Sequence, residues 1–139
     1  MNIEFYDFSP EKLTIVEEMV RKWALLICPN WVTELFVFSN TLDGENGTTL
    51  EANVKYEYRQ ATIMVFNNYF DPENLNIREK MMVHELSHII VDPLASCFND
   101  FIKATYPDGG PLRTFADRQG IKAMEMVVED LADRFMQWQ

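Results

Sequence analysis

VHELSHIIVDP, residues 83–93, holds the only two histidines of this 139-residue chain, His84 and His88, and places Glu85 directly after the first. Residues four apart on an α-helix lie one turn above one another, so the two imidazoles can converge on one ion at about 2.0 to 2.1 Å from each nitrogen. Glu85 projects about 100° away around the helix, badly placed as a third ligand but well placed to reach a water beside the ion. The flanking MMV and II keep the apolar content a helix needs. Its start is signalled by Asp71-Pro72, or by Asn76 with Glu79 three residues on as a capping box, and its end by Asp92 before Pro93.

A lone histidine on an apolar helix is more often a satisfied core residue than a ligand. Here both histidines of the chain sit at metal spacing with a glutamate in the slot the chemistry requires. Zn2+ lowers the pKa of a water it holds towards about 7, and a neighbouring carboxylate can take the proton as that water attacks a carbonyl. A catalytic zinc takes three protein ligands. A further histidine six residues after the second would complete the set, but that position is Leu94, and the glycine slot before it is Val91.

The third ligand is therefore expected further along. Thr114 can cap a last helix on which Ile121, Met124, Val128, Leu131, Phe135 and Trp138 form an apolar stripe. Projected at about 100° per residue, the apolar arc also takes in Val127 and Ala132 with Met136 at its edge, Glu125 falls between Ala132 and Met136, and a carboxylate among core side chains is costly unless a cation meets it. Glu125 ranks first as ligand, with Glu129 accepting an N–H from a ligating histidine. The alternative slides by one turn, making Glu129 the ligand and Asp133 its support.

Upstream, Ser9 then Pro10 signals a helix start, and Leu13, Val16, Val20, Trp23 and Ile27 recur at helical spacing until Pro29. ELFVFSN (34–40) reads as a strand closed by the turn-forming DGENG (43–47). From Leu50 to Arg59 the pattern alternates, with Leu50, Ala52, Val54, Tyr56 and Tyr58 on one face, and ATIMVF (61–66) continues in β-forming residues. The intervening RQ is poor tight-turn chemistry, so one long bent strand competes with two strands, which are preferred. SCFNDFIKATY (96–106) suggests a short helix and PDGGPLR (107–113) a loop. The expected fold is α+β: an N-terminal helix, a small mostly antiparallel sheet, the HELSH helix and a C-terminal glutamate helix, in one domain spanning residues 1–139.

The net charge of −10 disfavours nucleic acid and anionic lipid as partners. No apolar run approaches the roughly 18 residues of a membrane span, and MNIEFYDFSP lacks a secretion signal, so a cytoplasmic location is expected. Cys28 and Cys97 are too few and too far apart for a disulfide framework and read as reduced thiols.

With HELSH on one helix and EMVVEDLAD (125–133) on a later one, the chain resembles the zincin metallopeptidases. The likeness is to the gluzincin arrangement, whose third ligand is a glutamate, and to the very short zincins of phages, prophages and ImmA/IrrE-like regulators. The resemblance implies Zn2+ held by His84, His88 and Glu125 or Glu129, with Glu85 as general base. It also implies a protein or peptide substrate laid along an edge strand, for which ATIMVF is nominated. Tyr106, Tyr69 and Arg113 are candidates to stabilise an oxyanion. The function expected is a zinc-dependent metallopeptidase acting on a specific protein partner. The alternative is a non-catalytic binding or regulatory protein on the same scaffold, such as a phage-encoded inhibitor.

Overall fold

A computed structural model describes residues 1–138 of the chain. Strand β1 (Asn2–Tyr6) leads into helix α1 (Pro10–Ile27), followed by β2 (Glu34–Ser39), β3 (Leu50–Lys55), β4 (Gln60–Val65), α2 (Arg78–Thr105) and α3 (Pro111–Gln137). The fold is α+β, with three helices and one four-stranded sheet in the order β1-β2-β4-β3.

Helix α1 starts where its sequence signals it. Ser9 accepts the Lys12 backbone N–H, Pro10 needs no donor in the first turn, and Val16, Val20, Trp23, Ala24 and Ile27 face the core. Because α1 carries the chain from β1 to β2, these two strands pair parallel, from Asn2↔Glu34 to Tyr6↔Phe38. β2 also pairs parallel with β4, and only β3 with β4 is antiparallel. The mostly antiparallel sheet expected from the turn chemistry is therefore a mixed sheet with two parallel pairings of three. DGENG does reverse the chain, with Asn46 and Gly47 at positive φ. The reversed strand nevertheless leaves a gap beside β2 that β4 later fills.

Strand alternation stops at Lys55, so Tyr56 and Tyr58 lie in a single 3-10 turn rather than on the inner face of a strand. Arg59 closes that turn in the left-handed region at φ 55, held by its Nε donating to the Trp31 carbonyl at 2.9 Å. The chain thus makes two strands, with an arginine supplying a conformation usually left to glycine or asparagine. One face of the sheet, formed by Leu35, Val37, Leu50, Ala61, Ile63 and Val65, is buried with α1 residues and Met82, Val83, Leu86 and Ile89 of α2. Each such aliphatic side chain contributes about 1.5 to 3 kcal/mol on burial.

α2 begins at Arg78, later than either start signal, and no side chain caps it. The segment before it is locked by a reciprocal pair. The buried Arg78 guanidinium donates to the carbonyls of Tyr69, Phe70 and Asp71, while the buried Tyr69 hydroxyl donates to the Arg78 carbonyl at 3.0 Å. Glu79 in the first turn receives Trp23 Nε1 at 2.8 Å and Lys22 Nζ at 2.6 Å, fastening α2 to α1.

The helix does not end at Asp92. It runs through Pro93 to Thr105, absorbing the short helix expected over 96–106. A proline here forfeits one backbone hydrogen bond and crowds the carbonyl four residues back. The helix persists because α3 packs along this half, burying Ile102 and Val128. α3 itself starts at Pro111, three residues before Thr114, whose hydroxyl bonds back to the Gly110 carbonyl. No helix among the described residues is long and apolar enough to cross a membrane.

Candidate metal centre

His84 and His88 stand one turn apart on α2 with ring centroids 5.0 Å apart. They face α3 across the α2–α3 seam, where Glu125 meets both. Its Oε2 lies 3.3 Å from His84 Nε2 and its Oε1 3.4 Å from His88 Nε2. One turn on, Glu129 Oε2 lies 2.9 Å from His84 Nδ1. The other Glu129 oxygen receives Lys80 Nζ at 2.7 Å, and Lys80 also reaches Asp133 at 2.9 Å. Lys80 sits one turn before His84 on the same face of α2, so residues 80, 84 and 88 oppose 133, 129 and 125 in antiparallel register.

Proton positions follow from this network. With Nδ1–H of His84 donated to Glu129, the Nε2 of a neutral His84 is a lone-pair acceptor. Burial lowers the pKa of His88 and favours its neutral form. Two imidazole Nε2 atoms and two carboxylate oxygens thus converge at 3.3 to 3.4 Å. A cation between them would satisfy all of these acceptors, and the set of two imidazoles and one carboxylate is a donor combination zinc accepts. Lys80, followed by the His84 N–H, holds the Glu129 carboxyl below its ordinary range, while Asp133 and Glu129 together raise the pKa of Lys80.

His84, Glu85 and His88 also place one potential ligand atom each within 4.8 Å of one another. Glu85 nevertheless turns towards the sheet, where the Ala52 backbone N–H of β3 lies near its carboxylate and favours the charged form. Burial first, and the Glu125 charge second, push the Glu85 carboxyl up from 4.5 to about 8 in the metal-free protein. Beside it, a cleft of about 320 Å³ opens between the start of β3 and the first turns of α2, lined by Leu50, Ile77, Met81, His84 and Glu85 among others.

Several expectations are corrected. Glu125 is not sunk among core side chains: it is 47% exposed, because α3 turns only Val128 and Ala132 fully inward and leaves Ile121, Val127 and Trp138 in solvent. ATIMVF cannot receive a substrate strand, since β4 is hydrogen-bonded on both sides. The free edge beside α2 is β3. None of the three oxyanion candidates faces the histidines. Tyr69 is inside the core with its hydroxyl on Arg78. Arg113 pairs with Asp117, and Tyr106 caps the far end of α2, about 27 Å along the helix from His88.

Sequence reasoning missed three participants. Lys80 was signalled by its spacing of four from His84, and the Ala52 N–H had no sequence signal at all. The third is Tyr56, whose hydroxyl donates to Asp92 and lies 3.3 Å from Ser96 Oγ, on the stretch of α2 that continues the histidine face. Both cysteines are free, Cys28 partly buried with its thiol pKa pushed up to about 12 by desolvation and Cys97 exposed. No protein-family model, curated protein or solved structure matches the chain.

Proposed function

We propose that the chain is a zinc-dependent metallopeptidase, in the manner of a minimal gluzincin, that cleaves a protein or peptide partner in the cytoplasm. The observation carrying this reading is the convergence of Glu125 on both Nε2 atoms while the other nitrogen of His84 is committed to Glu129. His84, His88 and Glu125 would hold the ion. Zn2+ bound there would supply a Lewis acid for a peptide carbonyl and acidify a water.

The remaining steps belong to the protein. Glu85, beside the Ala52 N–H, accepts the proton of the attacking water at its carboxylate and returns it to the leaving amine. Glu129 keeps His84 in the tautomer that presents Nε2, and Lys80 keeps Glu129 ionised and in place. The free edge of β3 offers backbone donors and acceptors to an extended peptide lying beside α2, as strand addition requires. The cleft next to Glu85 can take one substrate side chain.

Elemental mass spectrometry on zinc-reconstituted wild type, His84→Ala and Glu125→Ala tests the site. One equivalent is expected in wild type, with loss in both variants. Digestion of a peptide library by wild type and Glu85→Gln, with and without chelator, tests the reaction. A zinc-free wild type, or a Glu85→Gln protein that cleaves as fast as wild type, overturns the proposal.

A further inference from the structure

The main hydrophobic core takes its α2 residues from the segment ending at Ile90 and its α3 residues from Ala132 onward. Between them the two helices form a long hairpin whose fully buried hydrophobic residues are Ile102 and Val128. Among the described elements α3 packs substantially on α2 alone. Two helices cannot bury the apolar stripes of both; bundles do so with about four.

What the hairpin leaves uncovered is one connected apolar face. Leu94, Phe98 and Phe101 recur at helical spacing on α2, and Leu112, Phe115 and Val127 lie within about 120° of each other around α3. Between the helices runs a groove of about 720 Å³ whose lining is apolar apart from Gln119. Its floor is Gly120, where an added Cβ would come within 2.7 Å of the Phe98 ring, so the helices approach closely and the groove stays shallow. These six side chains are between 43% and 74% exposed. At about 200 Å² for an aromatic and about 150 Å² for an aliphatic side chain, that is on the order of 600 Å² of apolar surface. That approaches the roughly 800 Å² per partner of a specific interface.

Charge decides what can lie there. The eleven residues lining the groove carry no charge, and neither do Phe101, Leu112 and Phe115 beside it, on a chain whose net charge is −10. A second copy of the chain is repelled by most of the acidic surface but not by this face, which presents the same uncharged apolar side chains to its own image. We infer that two copies pair through this face, hairpin against hairpin, to complete a four-helix bundle with the two sheets at its outer ends. The inference rests on different side chains from the metal reading, because neither histidine and none of the carboxylates facing them lines the groove.

Sedimentation of the full chain at about 10 to 100 µM tests it, since mass action governs such an assembly. Wild type is expected at twice its 16.3 kDa, and the dimer is expected to survive or tighten as salt screens the −10 charge of each copy. Leu94→Glu combined with Val127→Glu, at positions 74% and 50% exposed, is expected to sediment as a monomer with unchanged helical signal. Leu42→Glu, in a loop outside the hairpin and 70% exposed, is expected to leave the dimer intact. If the double variant loses its helical signal, Phe101→Glu alone reads the same surface. A monomeric wild type across this range overturns the inference and leaves the groove to a different protein. A dimer that persists in the variants, or an open-ended series of larger species, overturns it too.

Discussion

Replacing Glu85 by glutamine removes the least hydrated ionisable carboxyl of the candidate metal centre, and the consequence can be worked out for the metal-free protein. The folded chain holds the Glu85 proton up to about pH 8, whereas the unfolded chain releases it near 4.5. Between those values the native state binds more protons than the unfolded state, so this group lowers stability as pH rises. The penalty is absent below about pH 4.5 and complete above about pH 8. At about 1.36 kcal/mol per pH unit, wild type loses roughly 2.5 kcal/mol from this group between pH 5 and 7. Glutamine cannot ionise, so Glu85→Gln is spared that loss. Urea unfolding of both proteins at pH 5, 6 and 7, after chelator treatment, gives the difference directly. The stability of the variant relative to wild type should rise by about 2 to 3 kcal/mol across the range. With Zn2+ restored the pH-dependent difference should shrink, since a dication offsets both the burial and the Glu125 charge that raise this pKa. Unfolding curves for the two metal-free proteins that shift in parallel with pH would show that Glu85 is not buried as described and would refute the reasoning.

Arg78→Met should cost about 3 to 5 kcal/mol in denaturant unfolding, because three loop carbonyls lose their shared buried donor. Glu129→Gln should weaken zinc binding about 10- to 100-fold in a chelator competition titration, by loosening His84, while Asp133→Asn should change it far less. Zinc at about one hundred times its Kd should stabilise wild type by about 2.7 kcal/mol and leave His84→Ala unmoved, read as the urea midpoint.

The elements that were legible are those whose signals are local. Ser9, Pro10 and a helical run of apolar residues mark the start and inner face of α1, and HELSH with its apolar flanks marks a stretch of α2. What was hidden depends on distant partners. β1 carries only Ile3 and Phe5 as an alternating pair, and nothing in NIEFY says that it lies beside Glu34–Ser39 in parallel. The insertion of β4 between β2 and β3 is likewise a fact about the whole sheet, and it moved the free edge from ATIMVF to Leu50–Lys55. Pro93 was read by its local cost, which packing on α3 overrides. Glu125 was reached by an argument about burial that α3 does not obey, yet it stands opposite both histidines, because helix periodicity alone puts residues 125 and 129 on one face.

α3 meets the body of the protein by way of α2, and the two imidazoles lie on one bank of that junction with the carboxylates of Glu125 and Glu129 on the other. An ion held by both banks would be a clasp as well as a reagent. Its removal should loosen α3 from α2 before sheet or α1 responds, read as faster amide exchange around Val128 and Ala132 than in the zinc-loaded protein, a gauge of occupancy that needs no substrate.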